Sequence, residues 1–569
     1  MNIVDRKQSK NSLSPYSVVA VISTLIGVWW LRFIVFNGND MLLAPFGDLA
    51  WNLAAVQTWM SAGPLLADQN LAAGIGFNPW KLPQMGLLSG SISWLTGFFG
   101  FSVNSAFGLT VVLGALLNSC SLLFLFRQIT KRFTIMQIVL SIYLGAGIFT
   151  FSLLGHSQVR QYYGIYIALG LMIHTIKNNS QISGLMQFLL VLVVALSPTW
   201  PMYVLALIIS FTLFATLIER EYLVSRVLLK FFGLVFIGLI PQGLLYITAV
   251  EKGSPIDRGF WDSNLYSGHL LDFLFASPFI NHLVLEGRDV GSGASIERNQ
   301  IGFFGGILAF LAFIIFLGLR DKLIPNEHIP SHSTRKLIDN TLLIVIFLFL
   351  TGGLGNLLSG LTAIFGFPSP GRAYSRLIIL IPVIAVCRVF HHLDSRPLPI
   401  KNQRVTSFFI LAVTTFSLYL DFQNTHRETP VSVLSLPEYP AVKHITESVD
   451  RDCTIAQFPV DTFPTNQVSR SWADVPNFHF RGFVPYLINP NLSWSYGYAN
   501  PANSEMNLLV GEDIDAQELR RLQNLGVCAI LFDNLLSSTA IERGIQLYGL
   551  QISGTLSPTI FGRYSVYIP

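Results

Sequence analysis

"FNGNDMLLAPFGDLAWN", residues 36–52, follows an apolar run and carries two acids, Asp40 and Asp48. Whether those carboxylates sit in an ordinary soluble loop or just where a chain leaves a bilayer decides the fold. Upstream, "MNIVDRKQSKNSLSPYSVVAVISTLIGVWWLRFIVF" has a basic start and then about twenty apolar residues, enough to cross a hydrocarbon core. No small-residue cleavage pattern follows it, so it is expected to stay as a first membrane helix. The composition agrees. Of 569 residues, 51% are hydrophobic and only 12% charged, and the mean hydropathy is +0.53. A soluble domain carries about twice that charged share, so most of this chain must face lipid. A net charge of +4 is too small to suggest a nucleic-acid partner.

Further apolar runs lie near 103–126, 135–153, 162–176, 184–197, 203–218, 231–249, 302–319, 340–364, 375–390 and 405–422. With the first helix they predict a polytopic α-helical membrane protein of about 11 transmembrane helices over residues 1–422. The stretch 85–100, "MGLLSGSISWLTGFFG", is short and rich in Gly and Ser, and reads as a re-entrant or interfacial piece. Lysine and arginine placement sets the orientation. Clusters such as Arg127/Lys131/Arg132, Arg220/Arg226/Lys230 and Arg388/Arg396/Lys401/Arg404 alternate with sparsely basic connections. The N-terminus is therefore expected in the cytoplasm and the C-terminus outside. Two long connections, 37–84 and 250–301, then share the outer face.

After residue 422 the composition becomes that of a soluble domain. "CTIAQFPV" and "VCAILFDN" read as short buried strands, and "DAQELRRLQNLG" as an amphipathic helix closed by Gly526. Residues 423–569 are expected to form a small C-terminal extracytoplasmic domain, α/β or α+β. Cys453 and Cys528 both fall in it, and an oxidising compartment would let them pair.

The outer face holds the chemistry. Asp48 precedes "LAWNLAAVQTWM", whose apolar spacing is helical, so its bland role is a helix N-terminal acid. Its sharper role is a general base held over the membrane surface, with Asp40 as substitute. "LLGHSQVRQYYGIY" places His156 and Arg160 four apart at a span boundary, an imidazole and a guanidinium suited to a phosphate. The following Tyr162 and Tyr163 read as interfacial belt residues, and Asp68 as a solvated acid. Arg372 and Arg376, in "FGFPSPGRAYSRLIILIPVI", lie one helical turn apart at an outer mouth, either snorkelling or gripping a lipid phosphate. The loop 250–301 mixes Trp261, Asp262 and His269 with apolar residues, a set suited to stacking on sugars, and its acids have the chemistry for a divalent cation, Mg or Mn, without any fixed ligand spacing. Trp494 and Tyr496 alternate along one strand, either as a carbohydrate platform or as a core stripe. No Walker A loop, GxGxxG, HExxH or nucleophile elbow is present, which argues against a cytoplasmic nucleotide-driven machine.

Several of these pieces together resemble the polytopic GT-C-type glycosyltransferases, which use polyprenyl-phosphate-linked sugars on the outer side of a membrane. They are "GDLAWNLAAVQTWMSAG" with "GIGFNPWKLPQ", "GHSQVRQYY", "PGRAYSRLIILIPVI" and the tail "LQNLGVCAILFD". The resemblance implies a polyprenyl-phosphate sugar donor entering among the membrane helices, a glycan or lipid-linked acceptor docking from outside, and an acid in the first outer loop as base. By position that acid is Asp48. The paired acids of many such enzymes have no counterpart here, since Asp40 and Asp48 stand eight apart, and this leaves metal use open. The expected reading is a bacterial inner-membrane glycosyltransferase, with Arg372, Arg376 and Arg160 on the donor phosphate. Its rivals are a transporter or flippase for a lipid-linked glycan and a non-catalytic membrane assembly protein. The near absence of mid-span charge and of internal repeats disfavours the transporter.

Overall fold

The computed structural model describes residues 14–36, 40–43, 48–72, 76–81, 86–151, 160–179, 181–249, 304–308, 331–350, 374–395, 400–424, 430–458, 481–496, 526–534 and 558–568, with a few single positions between them. Helices dominate up to residue 424. They are α1 (Pro15–Trp30), α2 (Asp48–Ala62), α3 (Leu87–Phe98), α4 (Val103–Ile129), α5 (Thr134–Gly145), α6 (Tyr163–Asn178), α7 (Gly184–Leu196), α8 (Thr199–Ile218), α9 (Tyr222–Ala249), α10 (Ser331–Phe349), α11 (Leu380–Ser395) and α12 (Ile400–Asn424).

Six stretches among the described residues are long and apolar enough to cross a membrane: Val103–Ile129, Thr134–Phe151, Thr199–Ile218, Tyr222–Ala249, Arg376–Asp394 and Gln403–Gln423. Each coincides with an apolar run of the sequence. The shorter α1 and α7 are also apolar. The run 302–319 lies largely outside the described residues, so six spans stand where about eleven were expected. The outward faces are lipid-like. Along α9, Phe236, Ile240, Leu244 and Ile247 are exposed in one stripe, the inverse of a soluble helix. Segment 85–100 is helical, as α3. At 12 residues it is roughly 18 Å long, too short to cross about 30 Å of hydrocarbon. Trp94, Phe98 and Phe99 are exposed on and beside it, which suits a helix lying at the headgroup level.

Inside the bundle, lipid-solvated helices associate through close backbone approach and not through the hydrophobic effect. Gly145 shows this. A Cβ there would stand 2.6 Å from the Ser119 backbone, so only glycine lets α5 meet α4. At one end of the bundle, the basic segments expected to be cytoplasmic pair with acids. Lys177 reaches Asp394 (3.2 Å), Arg388 reaches Asp339 (2.8 Å), and Lys336 lies between Glu219 (3.1 Å) and Glu221 (3.2 Å).

Beyond α12 the chain builds strands β2 (Pro430–Ser432), β3 (Thr454–Phe458), β4 (Ser493–Trp494), β5 (Val527–Asp533), β6 (Thr559–Phe561) and β7 (Tyr564–Tyr567), with α13 (Tyr439–Ser448) and α14 (Val484–Ile488). Five of these strands form one sheet in the order β4-β3-β5-β7-β6. The neighbours β4, β3 and β5 run parallel, and β7 and β6 are antiparallel. The two strands read from the sequence are adjacent in it, and Cys453 is disulfide-bonded to Cys528 across them. Gly526, at φ 72°, makes the left-handed turn into β5, a conformation glycine adopts without Cβ strain. Of the helix expected over 515–525, only Asn524 falls among the described residues, and it is helical.

This sheet is joined to the first long outer segment. Strand β1 (Met41–Leu43) pairs antiparallel with β2, in the register Met41↔Ser432. Asn104, near the start of α4, holds β1 from the other side: its Nδ2 donates to the Met41 carbonyl (2.6 Å) and its Oδ1 accepts from Leu43 N–H (3.1 Å).

Candidate functional site

The most unusual side-chain cluster lies where α6, α8 and the segment leading into α11 begin. The short turn before α6 is held by Asn118 of α4, whose Nδ2 donates to the Arg160 carbonyl at 3.1 Å. Arg160 Nη1 donates to the Phe149 carbonyl at 2.6 Å, and its guanidinium lies 4.8 Å from the centre of the Phe149 ring. Two residues on, the Tyr162 hydroxyl donates to the Arg376 carbonyl at 2.9 Å. The Arg376 guanidinium in turn lies 5.7 Å from the Trp200 ring centre. The Tyr162 ring sits 5.8 Å from Phe149 and 6.2 Å from Trp200, and both guanidiniums are near enough to act electrostatically on its hydroxyl. Arg160 is 0% and Arg376 6% exposed. Two cations from distant parts of the sequence are therefore drawn together about one tyrosine inside a membrane bundle. Aromatic faces and carbonyls offset part of the several kcal/mol that burying each charge costs. The cluster concentrates positive charge inside the bundle, the electrostatic condition for drawing an anion toward it.

Arg160 is fully buried, and Asn118, which holds its carbonyl, stands about four turns beyond Asn104 along α4. Tyr162 is fully buried and Tyr163 nearly so; they are core residues and not an interfacial belt. No sequence signal distinguishes the two cases, because a belt tyrosine and a core tyrosine look alike beside an apolar run. Trp200 and Phe149 were missed for the same reason.

Of the proposed acids, Asp48 is the first residue of α2. Asp40 is exposed in the turn before β1, and its carbonyl accepts the Val433 N–H at 2.9 Å. The structure thus joins Arg160 to Arg376 and puts Asp40 on the β1–β2 clamp. His156, Arg372, Trp261, Asp262 and His269 lie outside the described residues. Trp494 and Tyr496 are 0% and 6% exposed. Trp494 Nε1 donates to the Asn489 carbonyl (2.9 Å), and Tyr496 meets the Phe483 ring edge-on at 4.8 Å. The alternating aromatics are thus the core stripe, and a face closed this way offers a sugar no platform.

Two acids have roles that sequence reading did not assign. Asp68 is 5% exposed and not solvated. It accepts from Ser61 Oγ (2.7 Å), the Tyr486 hydroxyl (2.7 Å) and the Asn70 N–H (2.9 Å). Asp421, near the end of a membrane span, is fully buried and accepts from Ser417 Oγ at 3.0 Å. Ser417 lies 3.0 Å from the Tyr143 hydroxyl, and the N–H groups of Phe304 and Gly305 donate to Ser417 and Tyr143 at 3.1 Å each. Among the described residues no group of three or more His, Cys, Asp and Glu gathers as a metal site would need.

No family profile and no curated protein matches the chain. Among the solved structures it is similar to, two are membrane glycosyltransferases. One is the archaeal oligosaccharyltransferase AglB from Archaeoglobus fulgidus, solved with an inhibitory peptide and a dolichol-phosphate. The similarity has a TM-score of 0.44 at 12% identity and covers 95% of this chain and 71% of that one. The other is the arabinofuranosyltransferase AftD from Mycobacteria, at TM-score 0.46 and 16% identity, covering 98% of this chain. This chain spans only 40% of the length of AftD.

Proposed function

We propose that this protein is a membrane glycosyltransferase that moves one sugar from a polyprenyl-phosphate carrier to a glycan or lipid-linked acceptor on the outer face of a bacterial inner membrane. The observation that carries the reading is the pair of buried guanidiniums, Arg160 and Arg376, brought to one tyrosine within the bundle. Charged groups buried among membrane helices are costly and typically mark the path of a charged substrate. Asp48 takes the proton of the acceptor hydroxyl as its oxygen attacks the anomeric carbon. The bond from that carbon to the phosphate oxygen breaks, and the electron pair leaves on the phosphate. The departing group gains a negative charge, and fixed guanidiniums stabilise that gain. No step is routed through a metal. Residues 423–569 form an extracytoplasmic domain in this reading, a placement that the Cys453–Cys528 disulfide supports because cytoplasmic thiols stay reduced.

The test is transfer itself. The purified protein, in liposomes with a radiolabelled polyprenyl-phosphate sugar and a glycan acceptor, is expected to label the acceptor. Buried Asp421 is an intramembrane acid of the kind transporters use, and it favours one alternative. Movement of labelled lipid between leaflets with no transfer across a panel of donors overturns the enzyme reading in favour of a flippase. Within that assay, Arg376→Met removes one charge-assisted contact to the phosphate, worth about 1.5–3 kcal/mol. Transfer is expected to fall roughly 10- to 100-fold, with unchanged rates removing Arg376 from the donor site.

A further inference from the structure

Asp68 and Tyr486 stand 418 residues apart in sequence and touch in the fold. Asp68 follows the helix that Asp48 opens, and its carboxylate takes the hydroxyl of Ser61 at the end of that helix. Tyr486 belongs to α14, which packs against α2 and α13, and Thr58 of α2 lies 3.4 Å from its hydroxyl. Around this centre the backbones are laced together. Trp494 N–H donates to the Asn70 carbonyl (2.8 Å), Ala72 N–H to the Tyr496 carbonyl (2.8 Å), and Asn70 Nδ2 to the Pro490 carbonyl (3.0 Å). Leu71 bridges Trp494 in parallel, so the first outer segment continues the sheet beyond β4. Asp68 and Phe77 exchange both backbone hydrogen bonds at 2.9 Å and close the segment into a short ribbon. The Phe77 ring meets the Phe483 ring at 5.3 Å.

We infer that Asp68 and Tyr486 are positioning residues: the C-terminal region serves to hold α2, and with it Asp48, in a fixed place over the membrane. The inference rests on the proposed transferase reading for what Asp48 does there, but not for the lock itself. A buried carboxylate is tolerated when donors satisfy it, and here three do, two from the first outer segment itself beside the one from Tyr486. Burial and the neighbouring Asp68 hold the Tyr486 phenol well above its ordinary range, so it remains a donor at any physiological pH. Helix α2 is thus fixed at both ends. Strand β1 is clamped by Asn104 and β2 before it, and its last turn is tied to the C-terminal region by Ser61, Asp68 and Tyr486. Trp494 and Tyr496 are buried beside the lock and stiffen it.

Tyr486→Phe keeps the ring and deletes the donor. Amide exchange measured by mass spectrometry on the full-length protein in detergent is expected to quicken roughly tenfold over residues 68–77, one factor of ten for each 1.4 kcal/mol of lost closure. Exchange over 527–533 is expected to stay unchanged. Transfer is expected to show a several-fold lower kcat at unchanged KM, since the acid is less often in place while acceptor binding is intact. Ser61→Ala, which removes a second donor to the same carboxylate, should act in the same direction. Equal quickening in both segments means general loosening and overturns the inference. So does local quickening at an unaltered kcat. If Asp48→Asn transfers as well as the parent protein, the base assignment falls, while the exchange contrast still decides the lock.

Discussion

Asp48→Asn is expected to lower sugar transfer by roughly 10²- to 10⁴-fold, the span that a positioned general base contributes. The substitution is a clean one. Asp48 is the first residue of α2, and asparagine serves near a helix N-terminus about as well as aspartate. What is lost to stability is the charge–dipole contribution, about 0.3–1 kcal/mol, which is too little to mimic the loss of a base. Asn keeps the shape and a hydrogen-bond acceptor but has no basic oxygen, so the acceptor hydroxyl must ionise unaided. The measurement is initial rate at saturating donor and acceptor, with Asp40→Asn alongside. Asp40 is exposed and contributes its backbone carbonyl to the clamp, so its carboxamide variant should stay within a few-fold of the parent. Near-parental transfer by Asp48→Asn with collapse of Asp40→Asn would move the base to Asp40.

The paired substitution Cys453→Ser and Cys528→Ser is expected to destabilise the C-terminal region by about 4 kcal/mol in the chain-entropy view, because the bond closes a loop of sequence separation 75. Both cysteines are replaced so that no lone thiol remains. Strands β3 and β5 are neighbours at the sheet centre and carry Ile455, Ala456, Ala529 and Ile530 in its core. They should stay paired in the cold and open far more readily on warming. The readout is amide exchange over 454–458 and 527–533 against temperature, where identical curves would show the bond to be dispensable. Alkylation with and without prior reduction also reports the compartment. The thiols should be blocked in protein recovered from the natural membrane, and open thiols there would put this region in a reducing space and reverse the topology. Removing the bond should also loosen the first outer segment, since β3 holds β4 and β4 holds Leu71.

The membrane class, the span positions for six helices and the strands "CTIAQFPV" and "VCAILFDN" were legible in the sequence. Each depends on local apolar content and periodicity, which a helix or strand expresses without help from distant residues. Contacts over hundreds of residues were not. Arg160 and Arg376 were each visible as candidates, but their meeting about Tyr162 depends on the segment before α11 reaching the starts of α6 and α8. Asp68 read as a solvated acid until Tyr486 arrived from the far end of the chain, and Asp421 drew no notice in the sequence because its partner Ser417 and the Tyr143 hydroxyl beside it are set by packing. Trp494 and Tyr496 had equal claims to a sugar platform and to a core, and the packing of Phe483 and Asn489 decided for the core. Sequence by itself determined which segments enter lipid, since transfer free energy is a property of the residues present. Only tertiary structure decided which polar groups are buried together, since that energy depends on what lies opposite.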